Sequence, residues 1–181
     1  MASSRTNLAF QPFNEHGQVR VYYNGFLPHW RQKGCTYFVT WRLADSIPES
    51  VLLEWKYERA KWLEARGIDI EAANWLQLFK RLSPTDRKSF ERKFVSRLFS
   101  SLDEGHGDCV LRQPSLANVA FSSILYFHNV RLDVGDFVVM PNHVHALLTP
   151  YDGFELEDIL HSIKSYSSNQ IQRLRKTGGK L

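Results

Sequence analysis

The stretch LDVGDFVVMPNHVHALLT, residues 132–149, decides the fold of this chain. Its two halves, Leu132 to Met140 and His143 to Thr149, are rich in valine, leucine and other residues that favour strands. Only Pro141 and Asn142 separate them, and so short a turn joins strands that run antiparallel. The sequence therefore predicts a β-hairpin here.

The elements around this hairpin are predicted from the spacing of their apolar residues. Thr36–Leu43 (TYFVTWRL) favours a core strand, a helix is expected to follow Pro114, and a longer helix is expected from about Glu155. The order strand, helix, strand, strand, helix is that of a ferredoxin-like fold without its final strand. We therefore expect an α+β protein with an antiparallel sheet and helices on one face.

The remaining segments are expected to elaborate that core. Helix-start signals and amphipathic spacing in residues 48–110 predict a helical insertion between the first strand and its crossover helix. Residues 1–25 are expected to be irregular, with a weak strand signal at Val19 to Tyr23. The whole chain, residues 1–181, is then expected to form a single domain.

Composition narrows the class of protein. Apolar residues make up 43% of the 181 residues and aromatic residues 13%, which is enough to fill a core. No run approaches the roughly 18 apolar residues that cross a bilayer, no secretory signal is visible, and Cys35 and Cys109 stand far apart. These features predict a cytoplasmic protein with no membrane partner.

The distribution of charge says more than the net charge of +4. No acidic residue follows Asp158, whereas several basic residues do. This segment fits either an ordinary solvated helix face or a surface that contacts DNA phosphates. The candidate DNA-binding residues are Lys164, Arg173, Arg175 and Lys176.

His143 and His145 form the candidate metal site. Side chains alternate faces along a strand, so these two imidazoles project together with Cα atoms about 6.5–7 Å apart. Two imidazoles at that spacing can share one divalent ion, although a chance His-x-His pair in a strand is also common. Two ligands are too few for a closed structural zinc site, so an additional residue, water or substrate must complete the coordination.

Other histidine-pair chemistries fit the sequence poorly. A site with three alternating histidines needs one at Leu147, and 181 residues cannot supply the eight βα units of a metal-dependent amidohydrolase barrel. No P-loop, glycine-rich dinucleotide turn, Gly-x-Ser-x-Gly or His-Glu-x-x-His motif is present.

The hairpin run VVMPNHVHALL, residues 138–148, resembles the signature of the single-tyrosine HUH transposases, in particular the REP-associated tyrosine transposase branch. Three further segments agree with this resemblance: YFVTWRLAD at 37–45, LDEGHGDC at 102–109 and ILHSIKSY at 159–166. Together the matching residues cover roughly 25–181.

The resemblance implies a domain that cuts and rejoins single-stranded DNA, often beside a hairpin. It implies that two histidines and a polar residue from a later helix hold Mg2+ or Mn2+, and that a tyrosine attacks the phosphate to form a phosphotyrosine link. Such a covalent intermediate keeps the energy of the broken phosphodiester bond, so the DNA strand can be rejoined. Single-stranded or hairpin DNA is the implied partner, and a homodimer is compatible with it.

The sequence departs from this pattern at its C-terminal end. The family's nucleophile helix and final strand would follow Gly178-Gly179, so the chain is expected to be truncated relative to the family. Tyr166 is the remaining nucleophile candidate, but its spacing from Ile159 and Ile163 predicts a packing role. Trp41 and Tyr37 could stack on bases, but packing is the expected role in a core strand.

Three functional readings follow from these observations. The first is a metal-dependent transposase-type domain, whose activity in this chain is undecided because the nucleophile is expected to be missing. The second is a catalytically inactive module that binds single-stranded or hairpin DNA with the same fold. The third is a decayed fragment without function, which would expose apolar surface.

Overall fold

A computed structural model describes residues 2–4, 10–14, 17, 20–23, 28–72 and 74–176 of this chain. Only the backbone is described for residues 2–4, 20–23, 28–30 and 76. The strands are β1 (Ala2–Ser4), β2 (Arg20–Tyr23), β3 (Pro28–Arg31), β4 (Tyr37–Arg42), β5 (Leu132–Val139) and β6 (His143–Pro150). The α-helices are α1 (Glu49–Glu64), α2 (Trp75–Lys80), α3 (Pro84–Phe90), α4 (Ser96–Asp103), α5 (Pro114–Leu125) and α6 (Leu156–Arg175).

The main sheet confirms the predicted α+β class. Its strand order is β1-β5-β6-β4, and every neighbouring pair is antiparallel. The β5–β6 hairpin turns through Pro141 and Asn142, where the Met140 amide donates to the His143 carbonyl at 2.8 Å. The predicted hairpin and first core strand are therefore confirmed, with bounds that shift by no more than one residue.

Helices α5 and α6 pack on one face of this sheet. Their apolar side chains meet alternate residues of the strands in a single hydrophobic core. The strand residues of that core include Val134, Val139, Val144, Ala146 and Leu148. Because Val144 and Ala146 face the helices, the histidines on either side of Val144 face the opposite way.

The insertion changes the expected placement of helices. The sequence predicts helices on one face of the sheet, but Phe99 of α4 in the insertion contacts Phe38 and His145 on the face opposite α5 and α6. A π-helical segment, Glu91–Val95, joins α3 to α4, and Leu102 is buried near Ile47. Helix α4 therefore covers part of the histidine face, which periodicity within the insertion could not reveal.

The N-terminal segment is a second correction. Residues 1–25 were expected to be irregular, but Ala2–Ser4 pairs with β5 and Arg20–Tyr23 pairs with Pro28–Arg31. The first of these strands satisfies hydrogen-bonding groups along the outer edge of β5. The sequence ASS has no alternating apolar pattern, so its pairing depends on that edge. The weak strand signal at Val19 to Tyr23 is confirmed in part by β2.

None of the helices in the described part of the chain combines the length and apolar character needed to cross a bilayer.

Candidate metal centre

The side chains of the two histidines meet at the start of β6. His143 pairs in register with Arg42 and His145 with Thr40 of β4. Their Nε2 atoms are 2.9 Å apart, and the ring centroids are 4.6 Å apart. The expectation that both imidazoles project to the same side is confirmed.

Asn142 fixes the ring orientation and tautomer of His143. Its amide Nδ2 donates to the His106 carbonyl at 3.1 Å, so its Oδ1 is the acceptor that faces His143. His143 Nδ1 lies 2.8 Å from that oxygen and therefore carries the proton. The lone pair of His143 is left on Nε2, which is the nitrogen that faces His145.

Thr40 is the corresponding Nδ1 partner of His145, but it allows either tautomer of the ring. Its hydroxyl lies 2.7 Å from His145 Nδ1, and a hydroxyl can donate or accept. When Thr40 donates, His145 carries its proton on Nε2 and donates it to His143. When Thr40 accepts, both Nε2 lone pairs point into one space, which is the arrangement that a shared cation requires.

Electrostatics keep both imidazoles neutral. Burial lowers the pKa of His143 below its ordinary value, the neighbouring His145 lowers it further, and Asp103 acts in the opposite direction. Burial also lowers the pKa of His145, again against Asp103. A neutral imidazole is the form that binds metal, so proton competition is reduced near neutral pH.

A loop between α4 and α5 holds the turn that carries Asn142. The Asp108 amide donates to Asp45 Oδ2 at 2.7 Å, and the Leu111 amide donates to the Pro141 carbonyl at 3.1 Å. Gly107 has φ +83°, and a Cβ there would come within 2.6 Å of the Asp45 carbonyl oxygen. Residues 102–111 thus support the turn that precedes His143.

Three residues near the histidines were not identified from the sequence. Phe38 stacks on His145 with centroids 5.3 Å apart and remains 61% exposed. Phe99 contacts the same imidazole at 6.0 Å, and Asp103 Oδ1 lies 3.9 Å from His143 Nε2. Phe99 and Asp103 are four residues apart on α4, but nothing in that spacing shows which strand they face.

The predicted DNA-binding residues lie in two places, a cleft beside His143 and the C-terminal end of α6. Lys164 is exposed and lines a cleft whose other walls include Arg42, His143 and Ser168. Arg175 forms an ion pair with Asp108, with 3.0 Å between Nη2 and Oδ2. Two more, Arg173 and Lys176, are exposed at the end of α6.

Tyr166 does not have the packing role that its spacing predicted. Its side chain is 56% exposed, whereas Ser167 is buried and donates to the Ile163 carbonyl at 2.7 Å. The buried stripe of α6 passes through Ile163, Ser167 and Ile171, so the tyrosine lies beside it. Tyr166 is also not one of the residues that line the cleft beside His143. By contrast, Tyr37 and Trp41 pack against the core as expected.

The donor atoms fit a divalent cation. In the described part of the chain, no three His, Cys, Asp or Glu side chains already stand in ligand geometry. The two Nε2 atoms are nevertheless close to the roughly 3 Å that separates neighbouring ligands around an ion with bonds of about 2.1 Å. The Asn142 and Thr40 partners of their Nδ1 atoms and the neutral state of the rings complete the fit.

Comparison with models of protein families, with curated proteins and with solved structures found no match for this chain.

The Thr40 hydroxyl gives a first test of this centre. We expect Thr40→Val to weaken Mn2+ binding by about 10–100-fold, because valine cannot accept the Nδ1 proton of His145. Isothermal titration calorimetry measures the change. Thr40→Ser keeps the hydroxyl and should stay close to the wild-type affinity. Equal affinity in the valine variant would show that Thr40 does not orient His145.

Proposed function

We propose that this chain binds a divalent cation, Mg2+ or Mn2+, through His143 and His145 and uses it on single-stranded or hairpin DNA as a transposase-type strand-cleaving domain. The observation that carries this proposal is the convergence of two neutral Nε2 atoms 2.9 Å apart. The resemblance of residues 138–148 to the HUH signature supplies the substrate class.

The roles of the protein groups follow from their contacts. When bound, the cation would act as a Lewis acid toward a phosphodiester oxygen. His143 and His145 hold it, while Asn142 and Thr40 keep the rings oriented. The neutral state of the imidazoles leaves the full positive charge of the ion available to the phosphate.

DNA contact is assigned to exposed groups near the histidines. Phe38 presents an exposed ring beside His145, and base stacking on such a ring tolerates any sequence. Lys164 offers an ammonium group at the cleft that His143 also lines. Arg175 is a weaker candidate, because Asp108 already neutralises it.

A second candidate function is a DNA-binding module without strand cleavage. Two observations favour it over the first. The His143 side chain has no solvent exposure, and the exposed Tyr166 does not line the cleft beside His143. Under this hypothesis a bound cation would fix the shape of the DNA-binding face, and no tyrosine would attack the phosphate.

One experiment separates the two candidates. A labelled single-stranded hairpin is incubated with the protein and Mn2+, and a denaturing gel reports cut strands and covalent protein–DNA adducts. Fluorescence anisotropy reports binding on the same samples. Cleavage that is lost with His145→Ala supports the strand-cleaving domain, whereas binding without cleavage selects the module. The absence of both binding and cleavage would refute both.

Phe38→Ala tests the proposed contact with bases. Stacking contributes about 1–3 kcal/mol per base, so the Kd for the hairpin should rise roughly 5- to 150-fold. Tyr126→Ala is the control, since it removes another aromatic ring that is 76% exposed. Mn2+ affinity is measured in both variants, so that a weaker metal site is distinguished from a loss of base stacking. An unchanged Kd in the Phe38 variant would place DNA elsewhere on the surface.

A further inference from the structure

The carboxylate of Asp103 lies beside the paired imidazoles, although it comes from a distant part of the chain. Asp103 is the last residue of α4, and its Oδ1 is 3.9 Å from His143 Nε2. His143 Nε2 is itself 2.9 Å from His145 Nε2. Asp103 therefore faces the same space as the two Nε2 atoms.

The packing of α4 holds Asp103 in that place. Leu102 is 1% exposed in a small core with Ile47 and Trp55, which ties the end of the helix to the body of the insertion. Phe99, one turn earlier on α4, contacts His145 and Phe38. Residues four apart share a helix face, so Phe99 and Asp103 both point toward the sheet.

The side chain of Asp103 is free to move the remaining distance. It is 66% exposed, and its Oδ1 approaches the neutral imidazole of His143. The adjacent acidic residue, Glu104, has a different partner, since its Oε2 lies 2.7 Å from His106 Nε2. A rotation of the Asp103 side chain that moves Oδ1 by under about 1 Å would place it roughly 3 Å from His143 Nε2. That is the spacing of neighbouring ligands around such an ion.

We propose that Asp103 is the third protein ligand of the metal centre, supplied by the helical insertion. This inference rests on the proposed function, because it assumes that His143 and His145 bind the cation. The resemblance to the transposases implies a third ligand from a helix after the hairpin, whereas α4 precedes the hairpin. Two imidazoles and one carboxylate leave about three positions of an octahedral ion for water or phosphate oxygens.

Asparagine substitution tests the proposed ligand. Asp103→Asn should weaken Mn2+ binding at least about tenfold by calorimetry, since loss of a ligand costs no less than loss of a group that orients one. Glu104→Gln is the matched control, because it removes the same charge one residue away and should change the affinity less than about twofold. Asp103 is exposed, so both variants should keep the wild-type thermal transition.

A cysteine substitution gives a spectroscopic readout that a structural role would not produce. Asp103→Cys with Co2+ should show thiolate-to-metal charge-transfer absorption in the near ultraviolet, and Glu104→Cys should not. Unchanged Mn2+ affinity in Asp103→Asn, or equal absorption in the two cysteine variants, would overturn the inference. If the wild-type protein binds Mn2+ and His145→Ala does not, the histidine site stands whatever the result at Asp103. If the wild-type protein fails to bind Mn2+, both proposals fall.

Discussion

Replacing His143 and His145 together by alanine is expected to abolish Mn2+ binding, with a loss of at least about 100-fold in affinity. Both nitrogens that face the proposed ion are removed at once. Calorimetry measures the loss directly. Thermal unfolding gives a second readout, because a ligand that binds only the folded state raises Tm. Mn2+ should therefore raise the Tm of the wild-type protein and leave that of the double variant unchanged.

The double substitution also lowers stability, because the His143 imidazole is fully buried and its Nδ1 donates to the Asn142 side-chain oxygen. Its loss leaves the Asn142 oxygen without its donor and should cost about 1–3 kcal/mol.

Single variants separate metal binding from stability. His145→Ala, at a partly exposed position, should lose most Mn2+ affinity at little cost to stability. The control is His161→Ala, which removes an exposed imidazole on α6. Wild-type Mn2+ affinity in the double variant would refute the site.

The second large effect is expected at Gly107, which is not one of the proposed metal ligands. Gly107→Ala forces a residue with a side chain to adopt φ +83° and places its Cβ within 2.6 Å of the Asp45 carbonyl oxygen. Backbone strain and displacement of the loop should together destabilise the protein by about 2–4 kcal/mol. For a chain of this length the fall in Tm is on the order of 4–16 °C.

The same substitution should also weaken Mn2+ binding, because this loop supplies the carbonyl that fixes Asn142. Gly153→Ala is the matched control, since Gly153 has φ +90° but nothing within 4 Å of the added Cβ. Gly153→Ala should lower the free energy of unfolding by only about 1 kcal/mol, the cost of the positive φ, and should leave the metal affinity unchanged. A Tm loss at Gly107 no larger than that at Gly153 would show that the contact with Asp45 does not constrain the loop.

Local patterns explain why much of the fold could be predicted. The hairpin, the strand Tyr37–Arg42 and helix α5 each carry their burial pattern in consecutive residues, because a strand alternates every two residues and a helix repeats every 3.6. The same alternation identified His143 and His145 as a pair on one face. Prediction failed on α6 by one position, where Ser167 is buried and Tyr166 is not.

The rest of the site depends on contacts between distant segments. Asp103 and His143 are forty residues apart in the chain, and Thr40 and His145 are more than a hundred apart. The strand Ala2–Ser4 likewise forms at an edge provided by residues more than 130 positions later in the chain. No local period carries such information, since it depends on how α4 and the sheet edges are placed in space.

The amino-acid sequence by itself determined the α+β class, the hairpin and the two histidines that share a face. Only the tertiary structure decided what surrounds them. It assigned the tautomer of His143 through Asn142, placed α4 and Asp103 over the histidine face, and put Phe38 beside His145. The physical reason is that alternation along a strand is a property of the backbone, whereas the partners of a side chain are set by long-range packing.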